Sequence, residues 1–599
     1  MGNSDKSSKR RTKTKRTRRF GFKPDQTGDT QTQDPVPVDG LSTSSSSDPV
    51  QNNVEIQGEQ SRDTNENNPN ILDFNFIMNT STLTRMVELL NTPCSGCGSS
   101  SGRSVSVDTK KKVGLCQQIV MKCKCGECVK IFSSKRIDCK NAKSRFDVNV
   151  RSVICFRELG LGHTAMENFS RHMNMPLPLT KMGYEKIVDS IAPHYAQAAE
   201  ESMHKAASNL TKDKTDDEPL DITASFDGSW QRRGYASLNG IVSCIERVNN
   251  KVVDIEIKTK KCRSCLFWEH KKDSHKYAEW KATHKCNVNH DGSAASMETA
   301  GTIDIFQRSI AKRRLCYTTF LGDGDSSSYP SVVEADPYNR KTINKGECIG
   351  HVQKRVGKNL RDLRKKLPTE RKKEIFGKGG RLTDSSINNI QNCYGLAIRQ
   401  NTGCLFQMKK NVSAILTHCS DIKPLSARHK WCSRAEDSWC SYWNKDKVTK
   451  SKFNIPANVK DEPEIVKIFD RLRDDELLRK CLHGKTQNVN ESFNGIVWTR
   501  CPKRVYVNRK TLEIGVYSAI LEFNEGKSGI ERVMELVGLE IGSQQATQNL
   551  NAQKRHLRIT SRKSAEPAKK RRTTLRAERK NWSDKNKEKE GNVYEAGGF

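Results

Sequence analysis

The sequence predicts a mixed α/β protein, and three observations carry that prediction. At Leu220 the apolar period changes from helical spacing to strict alternation. Two further strand-like runs follow at once, with no helical stretch between them. A helical stretch then leads to a fourth strand-like run, Leu315 to Leu321. Three strands, a helix and a returning strand make one sheet with helices packed on its faces.

Composition sets the surroundings of that sheet. The chain has 599 residues, with 104 Lys and Arg against 70 Asp and Glu, a net charge of +34. Such an excess suits a polyanion, because each neutralised phosphate releases a counterion. Nucleic acid is the expected partner; a basic ribosomal or membrane-surface protein is the alternative that composition leaves open. No run of about 18 apolar residues occurs, so no membrane span is expected. The first twenty residues are polar and basic, so no signal peptide is expected. The 21 cysteines are then expected to be reduced, and those in Cys-x-x-Cys pairs to hold Zn²⁺ rather than form disulfides.

Residues 1–70 lack apolar periodicity and are expected to be disordered. Within them Lys9, Arg10, Arg11, Lys13, Lys15, Arg16, Arg18 and Arg19 form a basic run, echoed by Lys569, Lys570, Arg571 and Arg572. Such runs read as nuclear-import signals or nucleic-acid arms, which points to the nucleus. Residues 71–145 form a zinc-ribbon-like module. Cys94, Cys97, Cys125 and Cys128 make two Cys-x-x-Cys pairs able to supply four thiolates to one tetrahedral ion. Cys116 and Cys123 lie close enough to blur that choice. Residues 146–215 read as helical, either a DNA-reading module or a packing module. Thr164 and Glu167 have capping-box spacing, and a second helix should run from Thr180 into Ala207, bent at Pro193.

The core begins in residues 216–345. In LDITASFDGSW, Ile222, Ala224 and Phe226 share one strand face, and Ser225 and Asp227 the other. Tyr235 to Ile245 and Val252 to Ile257 are the next two strands, turning at Asn249-Asn250. Three consecutive strands, the first ending in Asp, match the opening of an RNase H-like core, whose fourth strand delivers a second carboxylate beside the first. Here that strand runs into Gly322-Asp323-Gly324-Asp325. Asp323 follows the strand most closely and is preferred; Asp325 is the alternative, and a metal-free acidic turn is the plainer reading. An insertion, residues 260–292, offers a second zinc set in Cys262, Cys265, Cys286 and His290, with His284 as a competing ligand.

Residues 346–480 read as helical, with an insertion domain. Cys348 and His351 stand three apart, so they share a helix face. Ile349, Val352, Val356, Leu360, Leu363 and Leu367 form an apolar stripe, which would turn Lys354, Arg355, Lys358, Arg361 and Arg364 outward towards phosphates. His418, His429, Cys432 and Cys440 could bind a third Zn²⁺, although their spacing is not standard. Trp431, Trp439, Trp443 and Trp498 read as packing residues. Residues 481–540 would complete the core, closing with an amphipathic pattern from Leu512 to Leu539. Residues 541–599 are polar and basic and are expected to be a disordered tail.

Four strings occur in order: SFDGSWQRRGY, GDGDSSSYPSV, ECIGHVQKRVGKNL and TQNVNESFNGIVWTRCPK. In this order they resemble the Mutator-like (MULE-type) DDE DNA transposases of animal genomes, over most of the chain from Cys94 to about Leu539. The resemblance implies that Asp227, Asp323 and Glu491 are the three catalytic carboxylates. It also implies that Cys348 and His351 match the Cys/Asp-x-x-His motif of related transposases, with His351 near the bound DNA end. The long interval from Asp323 to Glu491 then holds a helical insertion. The family chemistry is cleavage and joining of double-stranded DNA at transposon terminal inverted repeats and at target DNA, by a homo-oligomer. Two Mg²⁺ (or Mn²⁺) ions suit such in-line displacement and prefer carboxylate oxygens. Asp227 would bridge both ions, Asp323 hold one and Glu491 the other. The competing expectation is a host-recruited, catalytically inactive zinc-containing DNA-binding or chromatin protein with the same fold.

Overall fold

A computed structural model describes residues 74–137, 145–212, 218–232, 237–323, 327–377, 382–434, 438–443 and 455–590. The tail of residues 1–70, with its basic run, and Asp325 lie outside the described residues.

The N-terminal cysteine module is an antiparallel meander of β1 (Ser104–Val113), β2 (Cys116–Lys122) and β3 (Cys128–Phe132). A short pair, β4 (Arg136–Ile137) and β5 (Arg145–Phe146), follows. Leu115, Cys116, Phe146 and Val148 join the meander to the next helix. Three helices come next, Asp147–Glu158, His163–His172 and Lys181–Thr211. The second does not start at the expected Thr164. Gly160, at φ +72°, turns the chain early, and Gly162 is the N-cap. Glu167 instead meets His163 Nδ1 at 3.5 Å. The third is capped by Thr180, whose hydroxyl accepts the Gly183 N–H at 3.2 Å, and it runs through Pro193 without a break.

The central sheet contains β6 (Leu220–Trp230), β7 (Asn239–Glu246), β8 (Val252–Thr259), β9 (Leu315–Gly322) and β10 (Asn344–Glu347). Their spatial order is β10-β9-β6-β7-β8. β10, β9 and β6 are parallel, whereas β6, β7 and β8 are antiparallel. The short connections between β6, β7 and β8 allow only hairpins, while the return to β9 needs the crossover helix Ser296–Arg313. β7 is buried along its whole length, as a strand covered on both faces must be.

Alternation in β6 separates the two faces. Ala224 and Phe226 pack with Phe306, Tyr317 and Phe320 beneath the crossover helix. On the other face Ile241, Ile245 and Ile255 pack with Phe493, Val497 and Ala519, from helices Asn488–Arg500 and Arg509–Glu525. Arg308 clamps the crossover helix to β8 through Asp254 at 2.7 Å and Glu256 at 2.5 Å.

Helix Ile349–Lys366 opens the insertion. Its stripe of Ile349, Val352, Val356 and Leu360 is fully buried, with Leu363 and Leu367 packed at the edge. The cationic face differs from expectation. Arg355 pairs with Glu347 at 2.9 Å, and Arg361 and Arg364 both pair with Asp384 at 3.0 Å. Lys354 and Lys358 remain exposed. The region after Gly542, expected to lack structure, instead forms helices Ser543–Ser564 and Glu566–Glu590. Their Lys, Arg, Gln and Glu content favours helix even without a core, and Ser543–Ser564 buries none of its residues. No helix among the described residues is long and apolar enough to cross a membrane.

Candidate functional site: an acidic cleft and three Cys/His clusters

β6 and β9 align two carboxylates. Ala224 is in register with Phe320, and Ser225 with Leu321. Two residues further along these parallel strands lie Asp227 and Asp323. Neighbouring strands are about 4.8 Å apart, so both acids leave the sheet at one level. The stacked Phe226 and Phe320 rings, with centroids 5.0 Å apart, hold that register. Gly322 is required there, because a Cβ would come within 2.3 Å of the Phe320 ring.

Glu491 arrives on helix Asn488–Arg500, in its first turn, where the helix dipole favours a carboxylate. A row of polar side chains at helical spacing fastens this helix to β6. Gln487 Nε2 donates to the Phe226 carbonyl at 2.8 Å. Asn490 Nδ2 donates to the Ser225 carbonyl at 3.1 Å and to Ser243 Oγ at 3.0 Å. Asn494 Nδ2 donates to Asp227 Oδ2 at 2.7 Å, and Trp498 Nε1 to Ser229 Oγ at 2.7 Å. The amides at 487, 490 and 494 form a helical period in the sequence, a signal that motif reading passes over. Trp498 is committed to a hydrogen bond and packs at the core edge.

Burial and neighbouring charge raise the Asp227 carboxyl to about 7, with burial first, then Glu298, Glu491 and Asp323; His351 acts in the opposite direction. Asp227, Asp323 and Glu491 are therefore close enough to share one field. Glu298 belongs to that field too, and sequence reasoning missed it. It sits in the first turn of helix Ser296–Arg313. Its side chain lies against Gly228, where a Cβ would stand 2.5 Å from Oε2. The glycine of the Asp-Gly-Ser string thus makes room for a fourth carboxylate.

Cys348 is the N-cap of helix Ile349–Lys366, and its Sγ accepts the Gln487 N–H at 3.3 Å. His351 Nδ1 lies 3.5 Å from Asp323 Oδ1. Contact with Cys348 raises the His351 imidazole above its ordinary value, opposed by burial and aided by Asp323. Burial pushes the Cys348 thiol up, but the His351 contact and the Gln487 N–H outweigh it and bring it down. Beside Asp323, His351 works against the negative field and holds the Asp227 carboxyl down.

Three groups of soft ligands have all their donor atoms within 4.8 Å of one another. The first is Cys94, Cys97, Cys123 and Cys125. This grouping differs from the expected set: Cys128 lies outside it, its Sγ donating to the Gly126 carbonyl at 3.4 Å, and Cys123 stands in its place. The turn Cys123–Gly126 causes the change, since Cys128 already begins β3 and pairs with Lys122. The second group is Cys262, Cys265, His284 and Cys286. His290 is not in it; its Nε2 meets Ser296 Oγ at 2.9 Å and the Ser293 carbonyl at 3.0 Å, at the start of the crossover helix. The third is His418, His429, Cys432 and Cys440, all buried, as the sequence grouped them. Trp439 and Trp443 brace this cluster, donating to Asn411 Oδ1 and the His429 carbonyl at 3.1 Å each, whereas Trp431 is exposed. Four Cys and His donors at mutual van der Waals range fit tetrahedral Zn²⁺. Backbone N–H groups of Gly96 and Cys97 lower the Cys94 thiol to about 6, ready to act as a thiolate.

Two strand carboxylates at one level, a helical acid beside them and three Cys/His clusters place the chain among α/β proteins with several potential metal sites. The family model of the Mutator-like transposases matches residues 75–440. The chain belongs to the Mutator-like transposase family. The matched segment includes Asp227, Asp323, Cys348 and His351 and ends before Glu491. No curated protein matches the chain.

Proposed function

We propose that the protein is a DDE transposase whose β10-β9-β6-β7-β8 sheet is an RNase H-like core. It binds transposon ends as a homo-oligomer in the nucleus and cuts and joins double-stranded DNA. The observation that carries this reading is the register of β6 and β9, with Asp227 and Asp323 at one level and Glu491 latched above them by the amide row.

In cleavage, water adds to the scissile phosphorus, the bond to the DNA 3′-oxygen breaks, and that oxygen leaves as a 3′-hydroxyl. In joining, the 3′-hydroxyl adds to a target phosphorus and a target 3′-oxygen departs. Bound Mg²⁺ or Mn²⁺ would activate the attacking oxygen and stabilise the leaving one. Asp227, Asp323 and Glu491 are the residues that would hold these ions, with Glu298 as a further carboxylate. Four carboxylates, Asp227 among them, suit divalent cations, which would offset their mutual repulsion. Asn494 orients Asp227, and His351 orients Asp323. Zn²⁺ at the three Cys/His clusters would be structural, since each cluster offers four protein donors and so leaves no open position.

The test is a nicking assay on DNA carrying the flanking element's own ends, with Mg²⁺ and with chelator. Metal-dependent cuts at those ends support the reading. Binding without cutting would overturn it in favour of a recruited DNA-binding protein.

A further inference from the structure

A basic groove lies between the helical module and the second cysteine cluster. One wall carries Arg157 and Lys181; the other carries Lys261 and Arg263, next to Cys262; Arg509 and Lys510, at the start of helix Arg509–Glu525, also line the groove. These six cations face only two acids in the groove, Glu185 and Asp189. Lys510 is paired with Asp189 at 2.5 Å, and Arg509 with Glu513 at 2.7 Å. Lys181, Lys261 and Arg263 have no ion pair among the described residues. The groove continues past Arg157, Lys261 and Arg263 to Val505 and Tyr506. That continuation is tied to the acid-bearing strand, because Gln231, one residue past the end of β6, donates its Nε2 to the Val505 carbonyl at 2.6 Å.

The groove encloses about 580 Å³, far more than a single compact ion would fill. Unpaired cations on two opposed walls match a polyphosphate backbone by charge. Phe267, exposed on the zinc-cluster wall, adds an apolar rim. Zn²⁺ at the Cys262–Cys286 cluster would fix that wall before DNA arrives and so lower the ordering cost of binding.

We infer that this groove seats the phosphate backbone of duplex DNA and leads it to the acidic cleft, with the Cys262–Cys286 cluster acting as one jaw. The inference rests on the transposase reading for its direction, but its binding step stands without catalysis. Cations in the groove would meet the backbone and position the duplex; they carry no base information.

The experiment uses the full-length protein and a fluorescein-labelled duplex of arbitrary sequence, titrated by anisotropy across a salt series. The variants are Lys181→Ala, Arg263→Ala and the pair, with Lys467→Ala on a distant helix as control. The slope of log affinity against log salt should fall by about 0.9 for each phosphate that is no longer neutralised, and the control should match the parent. Zinc content is read alongside. If Arg263→Ala sheds zinc, Lys181→Ala on the opposite wall decides the outcome. Unchanged slopes in zinc-replete protein would overturn the inference. A change in oligomeric mass without a change in slope would also overturn it and assign the groove to a second copy of the chain. Absence of nicking in the parent protein, with the slopes behaving as expected, would sink the transposase reading alone.

Discussion

Asn494 holds Asp227: its Nδ2 donates to Asp227 Oδ2 at 2.7 Å, three residues along the helix from Glu491. One hydrogen bond thus ties the carboxylate of the central strand to the helix that carries the third acid. Burial would otherwise leave Asp227 without a donor on the Oδ2 side, and its carboxylate plane would be free to turn.

Asn494→Leu keeps the side-chain volume and removes the donor. Partners that orient metal-binding groups typically contribute about 10–100-fold to metal affinity or activity. Nicking should fall within that range, while duplex affinity and the urea midpoint stay close to the parent. Glu491→Gln, a direct loss of charge at the cleft, should abolish nicking and leave binding intact. Full activity in Glu491→Gln would remove that acid from the mechanism.

Some of this geometry was legible in the sequence. The alternation Ile222, Ala224, Phe226 against Ser225, Asp227 is a local property, and the structure has β6 at Leu220–Trp230. Pairs such as Cys94 and Cys97 follow from spacing. What could not be read was choice among equivalents at long range. Cys123 and Cys128 are both near Cys125 in sequence, and only the β3 register decides which faces Cys97. His284 and His290 differ only in whether helix Ser296–Arg313 claims the ring. Glu298 lies in a string that reads as an ordinary helix start, and its closeness to Asp227 appears only when Gly228 is seen from the crossover side.

The cysteine sets can be told apart by elemental analysis. The full chain should carry three zinc atoms. Cys123→Ser and His284→Ala should each lose one, whereas Cys128→Ser and His290→Ala should keep all three. Structural zinc contributes on the order of 10–16 kcal/mol to the folding of small modules, so the losing variants should also become protease-sensitive near the missing ion. Zinc loss in Cys128→Ser with retention in Cys123→Ser would restore the set expected from the sequence.

Asp227 gives a pH signature. Its carboxyl is raised from 3.8 to about 7 in the folded protein. The folded state therefore binds this proton more tightly than the unfolded chain does. The contribution is fully present below about pH 4 and is lost as pH rises through about 7. In chelator, raising the pH from 5 to 8 should destabilise the parent relative to Asp227→Asn by on the order of 1–3 kcal/mol, after allowing for partial solvent screening. Adding Mg²⁺ at pH 8 should return the loss in the parent and not in the variant. Parallel pH profiles for the two proteins, measured by urea unfolding, would contradict the raised carboxyl.

The far end of the Glu491 helix is anchored by a buried charge network, and that network yields the last prediction. Arg500 pairs with Glu158 at 3.1 Å and Glu522 at 2.6 Å, and its Nε donates to Ser518 Oγ at 2.6 Å. Tyr195 donates its hydroxyl to Glu158 Oε1 at 2.9 Å, and Ser518 donates to Glu158 Oε2 at 2.7 Å. Four helices thus meet in one network around Arg500 and Glu158: Asp147–Glu158, Lys181–Thr211, Asn488–Arg500 and Arg509–Glu525. Gly160 closes the same corner, since a Cβ there would lie 2.5 Å from the Thr499 carbonyl. Arg500→Leu strands Glu158 in a half-buried site without a cation, whereas Glu522 keeps Lys527. Breaking a buried pair from one side costs about 3–5 kcal/mol, so the urea-derived stability should fall by about that much. Arg500→Leu combined with Glu158→Gln should recover part of the loss, because the stranded charge goes with its partner. The coupling energy from this double-mutant cycle should exceed about 1 kcal/mol, the range seen for residues in one network. Strict additivity would mean that the helices hold together by packing alone, and that Glu491 does not depend on Arg500 for its place above Asp227.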